Sequence, residues 1–459
     1  MRNVLVLGAG QSATYLIRHL LGRAGERGWF VTVGDREADL AQRAVGDHPR
    51  GDAVAFDVND AEMRAAQIER AAVVVNLLPQ HCQSLVAWDC LAHGRHMVSV
   101  SYMDRRMAEL DADARRKGVL FLTEVGLDPG IDLMSSMAII HRVHEAGGTV
   151  ESFESYGSGV PAPEVAPNPL RYCITWNPRN VVMAGEHGAQ YLEHGQLKIV
   201  PWHQLFHHSW PKRVAGFGVM EAYPNRDSLA YRDKFGIADA ETLVRGTLRY
   251  PGWSETWHQI VRLGLPNESI AIPDLERRSF REIVEMFLPE TISGSTVEWR
   301  LATYLGISHT GRIMENFEWL GLFSSEPMGI EGSTAADALI FLLKNKLALP
   351  PGGRDAIILL HEIIARYGEN GGRAPRRERI TSTLVEYGEP GGGTAMARAV
   401  GLPAAIATEL ILTGELPLTG CHVPTHPAIY GPVLRRLGAE GLVFDERLET
   451  LDGGKEGSR

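Results

Sequence analysis

At 459 residues the chain exceeds what one hydrophobic core supports, since single cores stop growing at roughly 250 to 300 residues, so two or three domains are expected. Its 44% hydrophobic, 22% charged and 7% aromatic residues set it apart from disordered, fibrous and membrane-embedded chains. The 46 Lys and Arg against 56 Asp and Glu give a net charge of −10, with no basic field for a phosphate backbone, and no nucleic-acid partner is expected. Cys82, Cys90, Cys173 and Cys421 lack C-x-x-C spacing and read as free thiols of a reducing cytoplasm. The N-terminal apolar run ends at Leu7 without a cleavage pattern, and the apolar stretch 394–414 is interrupted by Arg398, Pro403 and Glu409, so neither a signal peptide nor a membrane span is expected.

From residue 3 to 125, short β-branched runs alternate with helical patterns. Strands are predicted at 3–7, 29–35, 53–57, 73–78, 96–99 and 119–122, with helices at 12–23, 38–45, 84–93 and 104–117. Strand and crossover in this order predict an α/β chain that begins with a doubly wound parallel sheet of the Rossmann kind. Directly after the first strand stands Gly8-Ala9-Gly10-Gln11-Ser12-Ala13, the G-x-G-x-x-G/A pattern opening a helix. Gly8 permits the tight turn, Gly10 lets backbone approach a pyrophosphate, and Ala13 allows close packing of helix on strand. Asp35 closes the second strand, where an acid meets the ribose of NAD, and the adjacent Arg36 offers a cation to the extra phosphate of NADP. NAD is therefore the expected cofactor, with NADP as the alternative. Asp57-Val58 and Asn76-Leu77 fall at further strand ends, where ligands bind in open α/β sheets.

After Gly126 the texture changes to Pro, Gly, Asn and Trp, with 157–169 and 223–228 reading as ordered loops of a substrate domain. The turn Gly126-Leu127-Asp128-Pro129-Gly130-Ile131-Asp132 offers two roles: Asp128 caps a helix that has Pro129 at its first position, or contacts substrate. Arg226 and Arg249 stand in strings that also read as loops, suited to gripping a carboxylate with the guanidinium fork, against a bland reading as surface ion-pair partners. Residues 251–350 turn helical, with helices at 280–287 and 335–346, before strand patterns return at 355–367 and 381–385. A helical insertion within a sheet domain follows. A Gly- and Arg-rich cluster at 371–379 and a polar tail after Leu451, expected to fray, are the low-complexity stretches.

These strings together resemble saccharopine dehydrogenase of the L-glutamate-forming type. The likeness runs through the Gly loop, Ser101-Tyr102, 126–132, 155–164, 168–170, 176–179, 223–228, 245–250, 381–388, 394–401 and 404–408. It implies a Rossmann domain of residues 1–125 completed by 393–459. It further implies a mixed α/β domain of 126–250 and 351–392 for substrate binding and dimerisation, and a helical insertion at 251–350. Gly8, Gly10 to Ala13, Asp35, Arg36, Asp57, Val58, Leu77, Val100, Ser101, Leu127, Asp128, Pro129 and Asn177 fall at cofactor positions. Ser101, Tyr102, Asp128, Arg226, Thr247, Leu248 and Arg249 fall at substrate positions; Asp128 and Tyr102 are the catalytic candidates, no residue stands out as a general base, and water activation rests on Asp128 or on the substrate's own groups.

The implied activity is reversible oxidation of saccharopine, a secondary amine, to an imine that water splits into glutamate and 2-aminoadipate 6-semialdehyde. A homodimer acting on small molecules in the cytoplasm is the implied setting. The competing readings are an imine-reducing enzyme of the carboxynorspermidine or homospermidine synthase type, and a non-catalytic NAD(H)-binding protein. The stretch Gly420-Cys421-His422-Val423-Pro424-Thr425-His426 departs from the family's aliphatic pattern. With two histidines and no third ligand it reads as a surface loop, and no metal is expected.

Overall fold

Val4, Leu5, Val6 and Leu7 are fully buried because the first strand lies mid-sheet, covered on both faces, the setting in which parallel strands read as unbroken apolar runs. The computed structural model describes residues 2–165, 168–369 and 374–451. Of the low-complexity stretches, the tail 452–459 and residues 371–373 lie outside the described residues. The chain folds into two compact units, one of residues 1–150, 234–236 and 365–459 and one of 151–233 and 237–364.

The first unit carries strands β1 (Arg2–Leu7), β2 (Trp29–Asp35), β3 (Gly51–Ala55), β4 (Val73–Asn76), β5 (His96–Ser99) and β6 (Leu120–Leu122). A seventh strand, Gly420–His422, pairs parallel with β6, and the order across the sheet is Gly420–His422, β6, β5, β4, β1, β2, β3. The chain order reverses at β1 and β4, the point where doubly wound sheets open a crevice at their carboxyl ends. The stretch 420–426 is thus no surface loop, which corrects the sequence reading. Its short strand is fixed by tertiary pairing, and His426 starts the helix Pro427–Ala439 by accepting the Ala428 N–H on Nδ1 at 3.1 Å. The strand Asp445–Leu451 pairs antiparallel with Arg376–Tyr387.

Helix Thr14–Arg27 packs against helix Ala395–Thr413 so closely that a Cβ on Gly401 would stand 2.9 Å from Leu16 N and 3.0 Å from Ser12 O. Ala395–Thr413 is long and apolar enough to cross a membrane by length and composition alone, and 83% of the qualifying window is buried inside the protein. A core helix of a folded domain has this character.

The second unit carries β8 (Ala189–Glu193), β9 (Gln196–Val200), β10 (Trp210–Val214), β11 (Gly218–Pro224), β12 (Thr242–Arg249) and all but the end residues 148–150 and 365–367 of β7 (Gly148–Pro161) and β13 (Asp355–Tyr367). Five of them run in the order β10, β11, β12, β7, β13, with β12 parallel to β7 and antiparallel to β11, a mixed sheet, while β8 pairs antiparallel with β12 and with β9 off this path. Two regions read as loops from the sequence are strand instead: 157–161 belongs to β7 and Arg245 to Arg249 to β12.

Residues 251–350 carry helices Trp253–Leu263, Phe280–Met286, Val297–Leu305, Arg312–Leu320 and Ala335–Lys346. They share one core with the sheet unit, in which Tyr172 and Val244 meet Trp257, Ile260, Phe317 and Leu339, so they do not form a separate body. Residues 126–150, expected with the substrate domain, join the first unit, where His141 Nδ1 lies 2.7 Å from the Tyr430 hydroxyl. All four cysteines are free thiols.

Candidate active site

The turn after β1 is built for a diphosphate. Gly8 takes φ +101, a backbone open to glycine at no steric cost, and a Cβ there would press on Leu77 at 3.4 Å. Gly10 has nothing within 4 Å of its ideal Cβ, so backbone approach is unobstructed. No side chain caps the short helix Gln11–Ala13 that leads into Thr14–Arg27, which leaves amide hydrogens at this end for an anion. Asn76, fully buried at the end of β4, has Nδ2 without a partner while Oδ1 accepts the Leu78 N–H at 3.2 Å. These features fit a dinucleotide.

Asp35 sits where the sequence predicts, at the end of β2, but its carboxylate is already engaged. Oδ2 accepts the Ala9 N–H at 2.7 Å and Oδ1 accepts the Glu37 N–H at 3.0 Å, so Asp35 ties the glycine turn to the loop after β2. Arg36 beside it is exposed. Asp57 is exposed and turns its carboxylate to Asn59, while Val58 packs against the core below the sheet.

The loops after β5 and β6 bring Val100, Ser101 and Tyr102 together with Leu127, Asp128 and Pro129 at the carboxyl edge of the same sheet. Gly126 is pressed against Val100, whose Cβ lies 3.5 Å from where its own would stand. Asp128 is half-buried and caps no helix. The helix Ile131–Glu145 starts after Gly130, whose N–H is taken by Asp132 Oδ1 at 2.6 Å, and Asp128–Pro129 is a cis peptide. Of the two readings of Asp128, the helix cap fails because backbone bonds from Ile131 N to Gly126 O at 2.9 Å and from Asp132 N to Leu127 O at 3.1 Å fold the turn back on itself first.

In the second unit, Arg249 ends β12 and is only 6% exposed. Its guanidinium lies 4.9 Å from the ring centroid of Tyr172, 5.8 Å from that of Trp253 and 5.9 Å from that of Tyr223. Nη1 donates to Leu248 O at 2.8 Å and to Ser158 Oγ at 3.4 Å, and Nε has no partner. Among the described residues no carboxylate pairs with it. Burial raises the Tyr223 hydroxyl above its ordinary pKa, against the opposing Arg249 charge and a hydrogen bond from Thr247. Thr247 and Leu248 therefore belong to this cluster, Leu248 through its carbonyl.

Two sequence-predicted residues stand apart from it. Arg226 lies in the loop after β11, exposed and at φ +55. Asn177 caps helix Pro178–Met183 through Oδ1 accepting the Arg179 N–H at 3.0 Å, a structural task that its place before Pro178 announces. Conversely, Tyr172 and Trp253 were not singled out. Trp253, four residues beyond Arg249, was the legible signal. The described residues hold no group of histidine, cysteine and acid side chains spaced to bind a metal.

Two family models match the chain, described as the saccharopine dehydrogenase NADP binding domain over residues 4–122 and the saccharopine dehydrogenase C-terminal domain over 126–442. The chain belongs to the saccharopine dehydrogenase family. It is 31% identical over 98% of its length, and 99% of the relative's, to the saccharopine dehydrogenase [NADP(+), L-glutamate-forming] of Schizosaccharomyces pombe. The structure of apo saccharopine dehydrogenase (L-Glu forming) from Saccharomyces cerevisiae superposes with a TM-score of 0.86 at 30% identity, covering 98% of this chain and 100% of that one. Homospermidine synthase from Legionella pneumophila, in complex with NAD, matches at TM-score 0.53 and 9% identity over 97% of this chain and 91% of that one, a likeness of fold alone. As a saccharopine dehydrogenase family member the chain is an oxidoreductase with an NAD(P)-binding Rossmann domain.

Proposed function

We propose that this protein oxidises saccharopine with NADP+ and water to L-glutamate and L-2-aminoadipate 6-semialdehyde, reversibly, in lysine metabolism. Similarity to enzymes named for that reaction over nearly the whole of both chains supports the family's activity. The observation that carries the substrate is Arg249. A guanidinium buried among Tyr172, Tyr223 and Trp253 without a carboxylate of its own is costly to keep, and a substrate carboxylate supplies the missing charge.

The bound nicotinamide supplies the hydride acceptor; the chain's residues bind and orient. Arg249 and the exposed Arg226 hold carboxylates of a substrate that has three. Ser101 and Tyr102 contact its polar groups, and Asp128 receives the proton released as water adds to the C=N carbon. The bond oxidised is therefore CH–NH, and hydrolysis of the imine releases the amine as glutamate.

Of the two nicotinamide cofactors, NADP(H) is the better-supported choice. The relatives that match nearly the whole chain are named for NADP(+), and Arg36 stands exposed beside Asp35, whose two oxygens each already accept one backbone N–H, as a cation for a 2′-phosphate. Arg36→Ala is expected to raise the KM for NADP+ about ten- to a hundredfold, the worth of one charge-assisted contact, with little change for NAD+. Wild-type kcat/KM higher with NAD+ than with NADP+ would return Asp35 to its role as ribose acceptor. The same reading makes the protein a cytoplasmic homodimer with no nucleic-acid or membrane partner.

The deciding assay supplies saccharopine with each cofactor and measures reduced cofactor and glutamate, then runs glutamate and the semialdehyde in reverse. Stoichiometric glutamate is expected. Turnover of a polyamine-type amine with none of saccharopine would overturn the proposal.

A further inference from the structure

Where the loops leave β5 and β6, three buried polar side chains close around the backbone of residues 101–103. Gln83 and Ser99 are fully buried, and Glu124 is 1% exposed. The Ser99 hydroxyl donates to Gln83 Oε1 at 2.6 Å and accepts the Ser101 N–H at 3.2 Å. Gln83 Nε2 donates to the Tyr102 carbonyl at 3.0 Å. Glu124 acts from the other side: its Oε1 accepts the Met103 N–H at 2.9 Å, and its own N–H donates to the Ser101 carbonyl at 3.0 Å. Four backbone groups of three consecutive residues are thus held by named partners.

Glu124 makes this clamp at two costs. A carboxylate is taken out of water, and a residue with a Cβ is held at φ +59, in the left-handed region. Strained, buried ionisable positions of this kind gather where geometry matters for chemistry, and this one lies at the carboxyl edge of the parallel sheet. A loop that merely connected strand to helix would need neither.

We infer that Glu124, working with Gln83 and Ser99, is a positioning residue that fixes the Ser101–Tyr102 backbone so that both side chains meet the substrate in one orientation. The inference rests on Ser101 and Tyr102 being substrate contacts. Glu124 holds the loop and touches no reacting atom.

The test is a double-mutant cycle in the full-length enzyme. Glu124→Ala is expected to lower kcat for saccharopine oxidation about ten- to a hundredfold, the cost of misplacing a contact by about an ångström. The dissociation constant of NADPH, read by fluorescence, should change far less than kcat, because Ser101 is one of many cofactor positions and the glycine turn is untouched. Glu124→Gln, whose amide oxygen still accepts the Met103 N–H, should recover most of the loss. In a Tyr102→Phe background Glu124→Ala should cost far less than in wild type, because coupled residues are not additive.

Full additivity in that cycle, a fall in NADPH affinity matching the fall in kcat, or full activity in Glu124→Ala overturns the inference. Should Glu124→Ala fail to fold, Gln83→Ala, which frees the Tyr102 carbonyl from the opposite side, enters the same cycle with the same expected coupling. Unimpaired turnover in both Tyr102→Phe and Ser101→Ala would remove the substrate reading, and the inference with it. Impaired turnover in those two with normal Glu124→Ala removes the inference alone.

Discussion

Arg249→Met should all but abolish saccharopine oxidation while leaving the protein as stable as before or more so. A carboxylate held by a guanidinium fork gains two parallel charge-assisted hydrogen bonds, each worth about 1.5 to 3 kcal/mol, so kcat/KM is expected to fall by about two orders of magnitude or more. In the absence of substrate the sign reverses. The buried Arg249 charge faces three aromatic rings and two oxygen acceptors but no counter-charge among the described residues, and an apolar chain of similar length removes that cost. Stability gained as activity is lost is the pattern of a residue kept for binding. Arg249→Lys should restore only part of the rate, since a point charge does not reproduce the fork. Steady-state kinetics with a thermal melt decide the matter: a lowered melting temperature with near-normal kcat/KM would make Arg249 a structural cation.

Much of the first unit was legible because parallel strands covered on both faces announce themselves. β1, β2 and β4 to β6 lie within about two residues of their predicted bounds, the usual fraying of boundary assignments. The helix Ala61–Glu69 escaped notice, since only Met63 and Ile68 mark its apolar face among charged residues; its start is fixed by Asp60 accepting the Met63 N–H at 3.0 Å. Gly420–His422 was illegible for a different reason. Three residues carry no period, and their strand exists only because β6 offers a free edge.

The site was legible in its glycines and obscure in its arginines. Gly8 and Gly10 serve backbone needs that sequence spacing states outright. Arg245 and Arg249 lie on a buried strand, where two charges and Gly246 erase the alternation by which strands are recognised, so the string read as a loop. Asp35 was rightly placed but its engagement with two backbone amides was not foreseeable, because the partners come from the turn after β1 and from its own loop. Glu124 gave no signal at all: a lone acid in a loop reads as solvent-facing until two loops are seen to close on it.

Glu409→Ala should be among the most damaging substitutions for the stability of the first unit. Its carboxylate is 1% exposed on helix Ala395–Thr413 and faces His19 Nε2 at 3.4 Å, Arg23 Nη1 at 3.6 Å, Arg27 Nη2 at 3.2 Å and Arg436 Nη1 at 3.4 Å. His19, Arg23 and Arg27 come from helix Thr14–Arg27, which begins at the cofactor turn, and Arg436 from Pro427–Ala439, so one anion joins three helices. Removing it leaves the cations facing one another, and breaking a buried pair from one side costs about 3 to 5 kcal/mol. Arg23 and Arg27 are each 36% exposed and can turn toward water, which places the expectation at the lower end, about 3 kcal/mol. Burial pushes the Glu409 carboxyl up, but the hydrogen bond from His19 and the charges of Arg23 and Arg436 outweigh it and hold the pKa below the ordinary 4.5. A depressed acid contributes its stability above the unfolded value and loses it as pH falls through the folded one. The difference in unfolding midpoint between wild type and Glu409→Gln, followed in urea, should therefore be largest near neutrality and shrink as the pH drops below 4.5. Two curves that stay parallel through that range would show that the cluster is held by packing and not by the charge on Glu409.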